Sequence, residues 1–229
     1  MPTITDEEFG EITVRRSVRA RSIRITVAPD GMLRASMPQY APMIVLRRMI
    51  KTSRNKLRKM LEQQTPTYAL QHGMEIGKSH KLIVGKAIRT SVRHTGQSIA
   101  VALAPGASLT DPTVERMVRD AITTALRVEA KNYLPRRLSF MAEKLGCEYG
   151  KVRFSHASSR WGSCSSTGTI SLNIALMKLP FELIDYVIIH ELSHTKQMNH
   201  SPKFWALVES ADPYYKLHRK QLKSHSPTV

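Results

Sequence analysis

The chain has 229 residues, of which 41% are hydrophobic and 23% charged, as in an ordinary globular protein. Its 35 Lys and Arg against 18 Asp and Glu give a formal net charge of +17, which favours acidic partners such as nucleic acid, nucleotides or acidic peptide segments. The sequence has no apolar run of the roughly 18 residues that a transmembrane helix needs, and its two cysteines exclude a disulfide framework or a Cys-type zinc site.

The N-terminus predicts neither an anchor nor an exported protein. Residues 1–14 are acidic and lack the apolar segment of a secretion signal. We therefore expect a cytoplasmic protein with no membrane association.

The N-terminal half predicts strands and one basic helix. Residues 11–17 and 22–38 alternate apolar and basic side chains, and Asp30-Gly31 is a hairpin turn signal within the second stretch. From residue 41 to about 64 the apolar residues recur at helical spacing, which predicts one helix with a strongly basic surface. Short strands are predicted over residues 81–103.

The second half predicts mainly helices. Asp111 is a plausible N-cap and Pro112 stands at the first helical position, so a long helix begins there. Pro135 is expected to break or kink it. A strand is predicted within "TISLN", and another helix is predicted to follow Pro180.

The loop "APGASLTDP" is the best candidate for a domain boundary, because it separates β-rich from α-rich sequence. We predict a β-rich basic region with one basic helix at residues 1–108. A second domain is predicted at residues 109–229.

The segment "YVIIHELSH" carries the strongest chemical signal. On a helix, His190 and His194 lie on one face, one turn apart, so two neutral imidazoles can bind one Zn²⁺. Glu191 lies off the line of the two ligands but within reach of a water activated by the metal, where a general base belongs. The pattern therefore predicts a zinc site with a hydrolytic function.

A catalytic zinc site needs a third protein ligand. His200 would lie about 240° from His194 on a continuing helix, so the helix would have to end between Gln197 and Asn199. Asn199 tolerates the left-handed conformation, which makes such a turn plausible. Glu209, on the following helix, is the alternative third ligand.

Several motifs resemble those of the YgjP-like metallopeptidases, which are zincins related to SprT-type and Wss-type metalloproteases. The resemblance spans nearly the whole chain and includes "RWGSC", "ISLN", "YVIIHELSH", "NHSPKFW" and "ADPYYKLHRKQL" in that order. It implies His190, His194 and His200 as metal ligands and Glu191 as the catalytic residue. It also implies an α+β fold, with a zincin-like C-terminal unit that combines a small sheet with the HExxH helix.

Two further segments are expected to support this site. The strand in "TGTISLN" could lie beside the cleft, where an extended peptide pairs by β-augmentation. Phe204 and Trp205 follow the third histidine and are expected to anchor the returning segment as part of the core.

Three functions remain open from the residues. The first is a zinc-dependent peptidase acting on an unidentified peptide or protein. The second is a zinc-dependent hydrolase of a nucleotide or other phosphoanhydride, although no Asp/Glu cluster for Mg²⁺ is evident. The third is a non-enzymatic zinc protein whose basic N-terminal half binds nucleic acid or another polyanion.

Overall fold

The chain forms two compact units, Met1–Ala69 and Leu70–Val229. The computed structural model describes residues 2–28, 32–64 and 70–228. The turn predicted at Asp30-Gly31 lies outside the described residues. Both units combine helices with sheets, which confirms the predicted α+β class.

The first unit is a four-stranded sheet with two helices. Its strand order is β1-β2-β4-β3, in which β2 and β4 are parallel and the outer pairs are antiparallel. The elements are β1 (Thr3–Asp6), β2 (Gly10–Ser17), β3 (Arg24–Val27), β4 (Leu33–Pro38), α1 (Met43–Thr52) and α2 (Arg54–Gln64).

Alternation along the strands decides which face of this sheet is buried. Successive strand residues point to opposite faces, so Ile12, Val14 and Met37 share the face that packs on Leu46 and Ile50 of α1. The sequence predicted a single helix over this region, but the structure has two. The break lies at Ser53, whose amide still donates to the carbonyls of residues 49 and 50.

The second unit contains two sheets and four α-helices among the described residues. One sheet has the order β5-β6-β8-β7 and the other the order β10-β11-β9. The elements are β5 (Glu75–Ile76), β6 (His80–Lys86), β7 (Ser91–Thr95), β8 (Ser98–Leu103), α3 (Pro112–Leu145), β9 (Val152–Ser155), β10 (Gly162–Cys164), β11 (Ile170–Asn173), a 3-10 helix (Ile174–Lys178), α4 (Phe181–Lys196), α5 (Pro202–Ala211) and α6 (Tyr215–Leu222).

The division between the units lies earlier than the predicted boundary at residues 108/109. Leu82 and Ile99, from β6 and β8, share one buried cluster with Val118 and Leu126 of α3. Because these strands pack on α3, residues 70–108 belong to the second unit.

Helix α3 begins at Pro112, as predicted, but it continues through Pro135 for 34 residues. The expected break is therefore wrong. A proline removes one backbone hydrogen bond, and such a loss costs about 3 kcal/mol in a helix. Leu134 and Leu138 on either side are fully buried, and their packing holds the helix together across this position. Asp111 does not cap the helix with its side chain; it accepts a hydrogen bond from the Ser108 amide at 2.9 Å.

The buried carboxylate of Glu129 fastens the first sheet of this unit to α3. It accepts hydrogen bonds from the Lys78 amide at 2.6 Å and from the Ser79 amide at 2.9 Å, and it lies 2.6 Å from His80 Nδ1. Gly77, at φ +63°, leaves the space for it, since a Cβ there would lie 2.1 Å from a Glu129 oxygen. Burial raises the pKa of Glu129, but the hydrogen bonds lower it more, so the net pKa is below its usual value.

None of the described helices is both long and apolar enough to cross a membrane.

Replacing Glu129 by Gln is expected to destabilise the second unit by about 1–3 kcal/mol at neutral pH, because buried donors lose a charged acceptor. A carboxyl with a lowered folded-state pKa stabilises above its unfolded pKa, and this contribution disappears as the pH falls through the folded pKa. The difference between wild type and variant, measured by urea unfolding, should therefore shrink in acid.

The control is Glu143→Gln, at an exposed position on the same helix. It is expected to change the free energy of unfolding by less than about 0.5 kcal/mol. Equal effects of the two substitutions would contradict the role given to Glu129.

Candidate metal centre

Helix α4 places two histidines on one face because they stand four residues, about one turn, apart. It begins at Phe181 directly after Pro180, as predicted, and ends at Lys196. Leu183, Val187, Ile188 and Leu192 are buried along it, as the apolar residues around the motif predict. His190 and His194 follow at one-turn spacing, with ring centroids 4.9 Å apart.

The chain turns back after α4 and returns His200 to the other two histidines. Gln197 ends the helix in an extended conformation, at φ −138° and ψ 100°. No non-glycine residue of the described chain has a positive φ, so the predicted left-handed turn at Asn199 does not occur. His200 Nε2 lies 3.2 Å from His190 Nε2.

One nitrogen from each of the three imidazoles lies within 4.8 Å of the others. Glu209, the alternative third ligand in the sequence analysis, is exposed on α5 and does not belong to this group. The structure thus assembles the set that includes His200.

Phe204 is the platform on which the three imidazoles pack. It is fully buried, and its ring centroid lies 5.0 Å from that of His190, 4.5 Å from that of His194 and 4.8 Å from that of His200. Trp205 stacks on the His200 ring at 5.6 Å. Both residues therefore anchor the returning segment, as expected.

Helix α5 can begin immediately after His200 because its first turn is capped. The Ser201 hydroxyl accepts a hydrogen bond from the Phe204 amide at 3.5 Å, and Pro202 occupies the first helical position. The cap thus fixes where α5 starts, and with it the position of Phe204 and Trp205 relative to His200.

Burial disfavours the protonated form of the two helix histidines. Burial, followed by the nearby charges of His194, His200 and Arg219, lowers the pKa of His190 to about 3. Burial also lowers the pKa of His194, although its hydrogen bond with the Gln197 carbonyl opposes the shift. That bond engages His194 Nδ1 at 3.1 Å and so leaves Nε2 for the cluster.

Glu191 is a buried carboxylate beside this cluster. It is only 6% exposed, and within the described part of the chain it has neither a hydrogen bond nor an ion pair. Burial raises its pKa to about 7, against the opposing positive charge of Arg160. A carboxyl in this state can accept and release a proton near neutral pH.

Gly162 approaches Glu191 so closely that no side chain fits between them. A Cβ at position 162 would lie 2.6 Å from Oε1 of Glu191 and 2.7 Å from its Cγ. Gly162 begins β10, which packs against α4. The glycine therefore lets the strand pass directly over the carboxylate.

Asn173 holds the loop that leads into β10. It is fully buried, and its side-chain amide donates to the carbonyls of Ala157 and Arg160 at 2.6 and 2.9 Å. Its backbone N–H donates a hydrogen bond to the carbonyl of Trp161 at 2.8 Å. The sequence analysis did not assign this role; a polar residue that ends an apolar, alternating strand was the available signal.

The strand expected beside the cleft is not the one with a free edge. Strand β11, from "TISLN", is the centre of its sheet and pairs with β10 on one side and β9 on the other. In the described structure β10 pairs on one side only, so the open edge next to α4 belongs to Gly162–Cys164.

A second set of residues supports the back of the site and was not identified from the sequence. Tyr186 lies one turn before His190 with ring centroids 6.0 Å apart, and burial raises its pKa to about 12. His218 lies next to Tyr186, and its Nδ1 is 2.7 Å from the buried carboxylate of Asp212.

The donor set fits a divalent metal ion. Three imidazole nitrogens converge within 4.8 Å of one another, a spacing at which one cation can be bound by all three. Imidazole is a preferred ligand of zinc and of several other transition metals. The three histidines could therefore hold one such ion.

Comparisons with known proteins agree with these features. The model of the YgjP-like metallopeptidase domain matches residues 21–225. No curated protein matches the chain.

Two solved structures share short matching regions with this chain. The crystal structure of the metallopeptidase zymogen of Pyrococcus abyssi abylysin is 30% identical, over 39% of this chain and 91% of that one, with a TM-score of 0.37. The metallopeptidase zymogen of Methanocaldococcus jannaschii jannalysin is 24% identical, over 38% of this chain and 93% of that one, with a TM-score of 0.33.

The family match covers both the candidate metal centre and most of the first unit. The chain therefore belongs to the YgjP-like metallopeptidase family of metal-dependent hydrolases.

Proposed function

We propose that this protein hydrolyses peptide bonds with one zinc ion bound by His190, His194 and His200, and with Glu191 as general base. The observation that carries this proposal is the meeting of three imidazole nitrogens within 4.8 Å beside a buried carboxylate. Three histidines and an open position are an established catalytic zinc set. When bound, zinc supplies a Lewis acid that lowers the pKa of water and polarises a carbonyl group.

Glu191 moves the protons of the reaction. It takes one proton from the attacking water and passes it to the nitrogen of the departing amine, so that the C–N bond breaks as a neutral amine leaves. Burial raises its pKa to about 7 against the opposing charge of Arg160. Glu191 can therefore act as base first and as acid afterwards.

The open edge of β10 orients the substrate. A peptide in extended conformation pairs with free backbone groups of an edge strand. At Gly162 this strand passes directly over Glu191, so a peptide paired along its edge would lie near the catalytic carboxylate. Recognition through backbone groups suits a peptide better than a nucleotide.

The general base is tested by Glu191→Gln, which keeps the shape of the side chain but cannot take a proton. We expect the variant to retain its metal and to lose at least about 100-fold in the rate of peptide hydrolysis. Turnover of denatured casein and metal content are measured on the same preparations. Hydrolysis of a nucleoside triphosphate is measured in parallel.

Undiminished hydrolysis of casein by Glu191→Gln would contradict this mechanism. Hydrolysis of the triphosphate without hydrolysis of casein would contradict the proposed substrate class instead.

Gly162→Ala tests the close approach of β10 to the catalytic carboxylate. The added methyl group must displace the Glu191 side chain. Since misplacement by about 1 Å can cost roughly 100-fold in rate, we expect casein turnover to fall by at least about 10-fold while the metal remains bound.

Gly85→Ala is the matched control, because a Cβ at Gly85 meets no atom within 4 Å. Its turnover should equal that of wild type. Equal turnover of Gly162→Ala and Gly85→Ala would contradict the role given to Gly162.

A further inference from the structure

The sheet of the first unit has one face that its helices do not cover. Leu46 and Ile50 of α1 pack on the apolar face, which includes Ile12 and Met37. The strand residues that alternate with the buried ones point to the opposite face. On β2 these include Arg15, which is exposed.

Strand register arranges this open face in rows of arginine and hydroxyl groups. Ser36 of β4 pairs with Arg15 of β2 on one side and with Arg24 of β3 on the other. In the next row Arg34 pairs with Thr13 and with Thr26. Since neighbouring strands lie about 4.8 Å apart, each arginine has a hydroxyl within one strand spacing.

A cleft of about 670 Å³ lies on this face. Arg15, Arg19 and Arg34 line it together with four serine and threonine side chains. None of the described residues that line it is acidic or aromatic. The cleft thus presents guanidinium and hydroxyl donors and carries a strong positive charge.

Two acidic residues of this unit, Asp6 and Glu8, pair with arginines of α2 and not with those of the cleft. Arg54 pairs with Asp6 and Glu8, and Arg58 also pairs with Glu8. Within the described part of the chain, Arg15 and Arg19 have no carboxylate partner. Their charges are therefore available to a ligand.

We propose that this cleft binds the sugar–phosphate backbone of a nucleic acid. Arginine guanidinium groups and serine and threonine hydroxyls are among the side chains that contact phosphate oxygens in such complexes. The absence of lining aromatic side chains removes base stacking, so binding depends on the backbone and not on sequence. An extended acidic peptide would seek a strand edge, and a flat bilayer does not enter a concave cleft.

The experiment uses the full chain and fluorescent 20-mer oligothymidine and 20-base-pair DNA, followed by anisotropy over a range of salt concentrations. The two available arginines, Arg15 and Arg19, predict a slope of log K against log salt of about −1.8 for duplex and about −1.4 for single strand. Arg15→Gln/Arg19→Gln is expected to bring the duplex slope about 2 units closer to zero and to weaken duplex binding by about 50-fold at 0.1 M salt.

The matched control is Arg47→Gln/Arg48→Gln, which removes the same charge from exposed positions on α1. It should change the affinity less than about 3-fold, since these residues lie outside the cleft. Thr26→Asp, which adds a carboxylate to the cleft and keeps every arginine, should weaken binding as the cleft variant does. Circular dichroism and thermal unfolding establish that each variant is folded.

Three results would overturn the proposal. They are an absence of salt-dependent binding by the wild type, equal losses in the cleft and helix variants, and tighter binding of polyglutamate or of phosphatidylserine vesicles than of DNA. The test needs neither metal nor peptide hydrolysis, so its outcome is independent of the proposed function.

Discussion

The contact of one phenylalanine ring with three imidazoles underlies the candidate metal centre. Phe204 is fully buried and lies about equally far from all three histidine rings. Two of those histidines are fixed by α4, but His200 stands on an exposed segment with no regular structure of its own. The burial of Phe204 returns that segment to the helix, and the Ser201 cap then sets its direction. The hydrophobic core thereby determines which histidines can meet.

A second constraint is the burial of Glu191. Burial raises its pKa towards neutrality, which suits a proton carrier but weakens the folded state if no charge compensates it. The backbone of β10 packs directly against this side chain at Gly162 and so holds the carboxylate in its buried position. Asn173 keeps the preceding loop in place from within the core. Helix, strand edge and loop thus form one support around the carboxylate.

Local signals in the sequence predicted the parts of the fold that depend on neighbouring residues. Pro180 before an apolar helical pattern predicted the start of α4, and Pro112 that of α3. The need for His200 to reach the other histidines predicted that α4 ends early, and the helix does end at Lys196.

Tertiary packing decided the features that the sequence did not predict. Pro135 stays within a continuous helix because the leucines around it are buried, and residues 70–108 join the second unit because their strands pack on α3. The role of Gly162 depends on a residue 29 positions later in the chain, which no local pattern indicates. The open sheet face of the first unit likewise required knowledge of the strand order, since only the register places Arg15, Ser36 and Arg24 in one row.

The most direct test of the central claim is the zinc content of the purified protein, determined by plasma mass spectrometry for wild type, His200→Ala and His94→Ala. His200 and His94 are both exposed, so neither substitution disturbs a core, and only His200 belongs to the cluster. We predict about one zinc per chain in wild type and His94→Ala, and a sharp loss in His200→Ala. A folded wild-type protein without metal, or His200→Ala with undiminished zinc, would contradict the three-histidine centre.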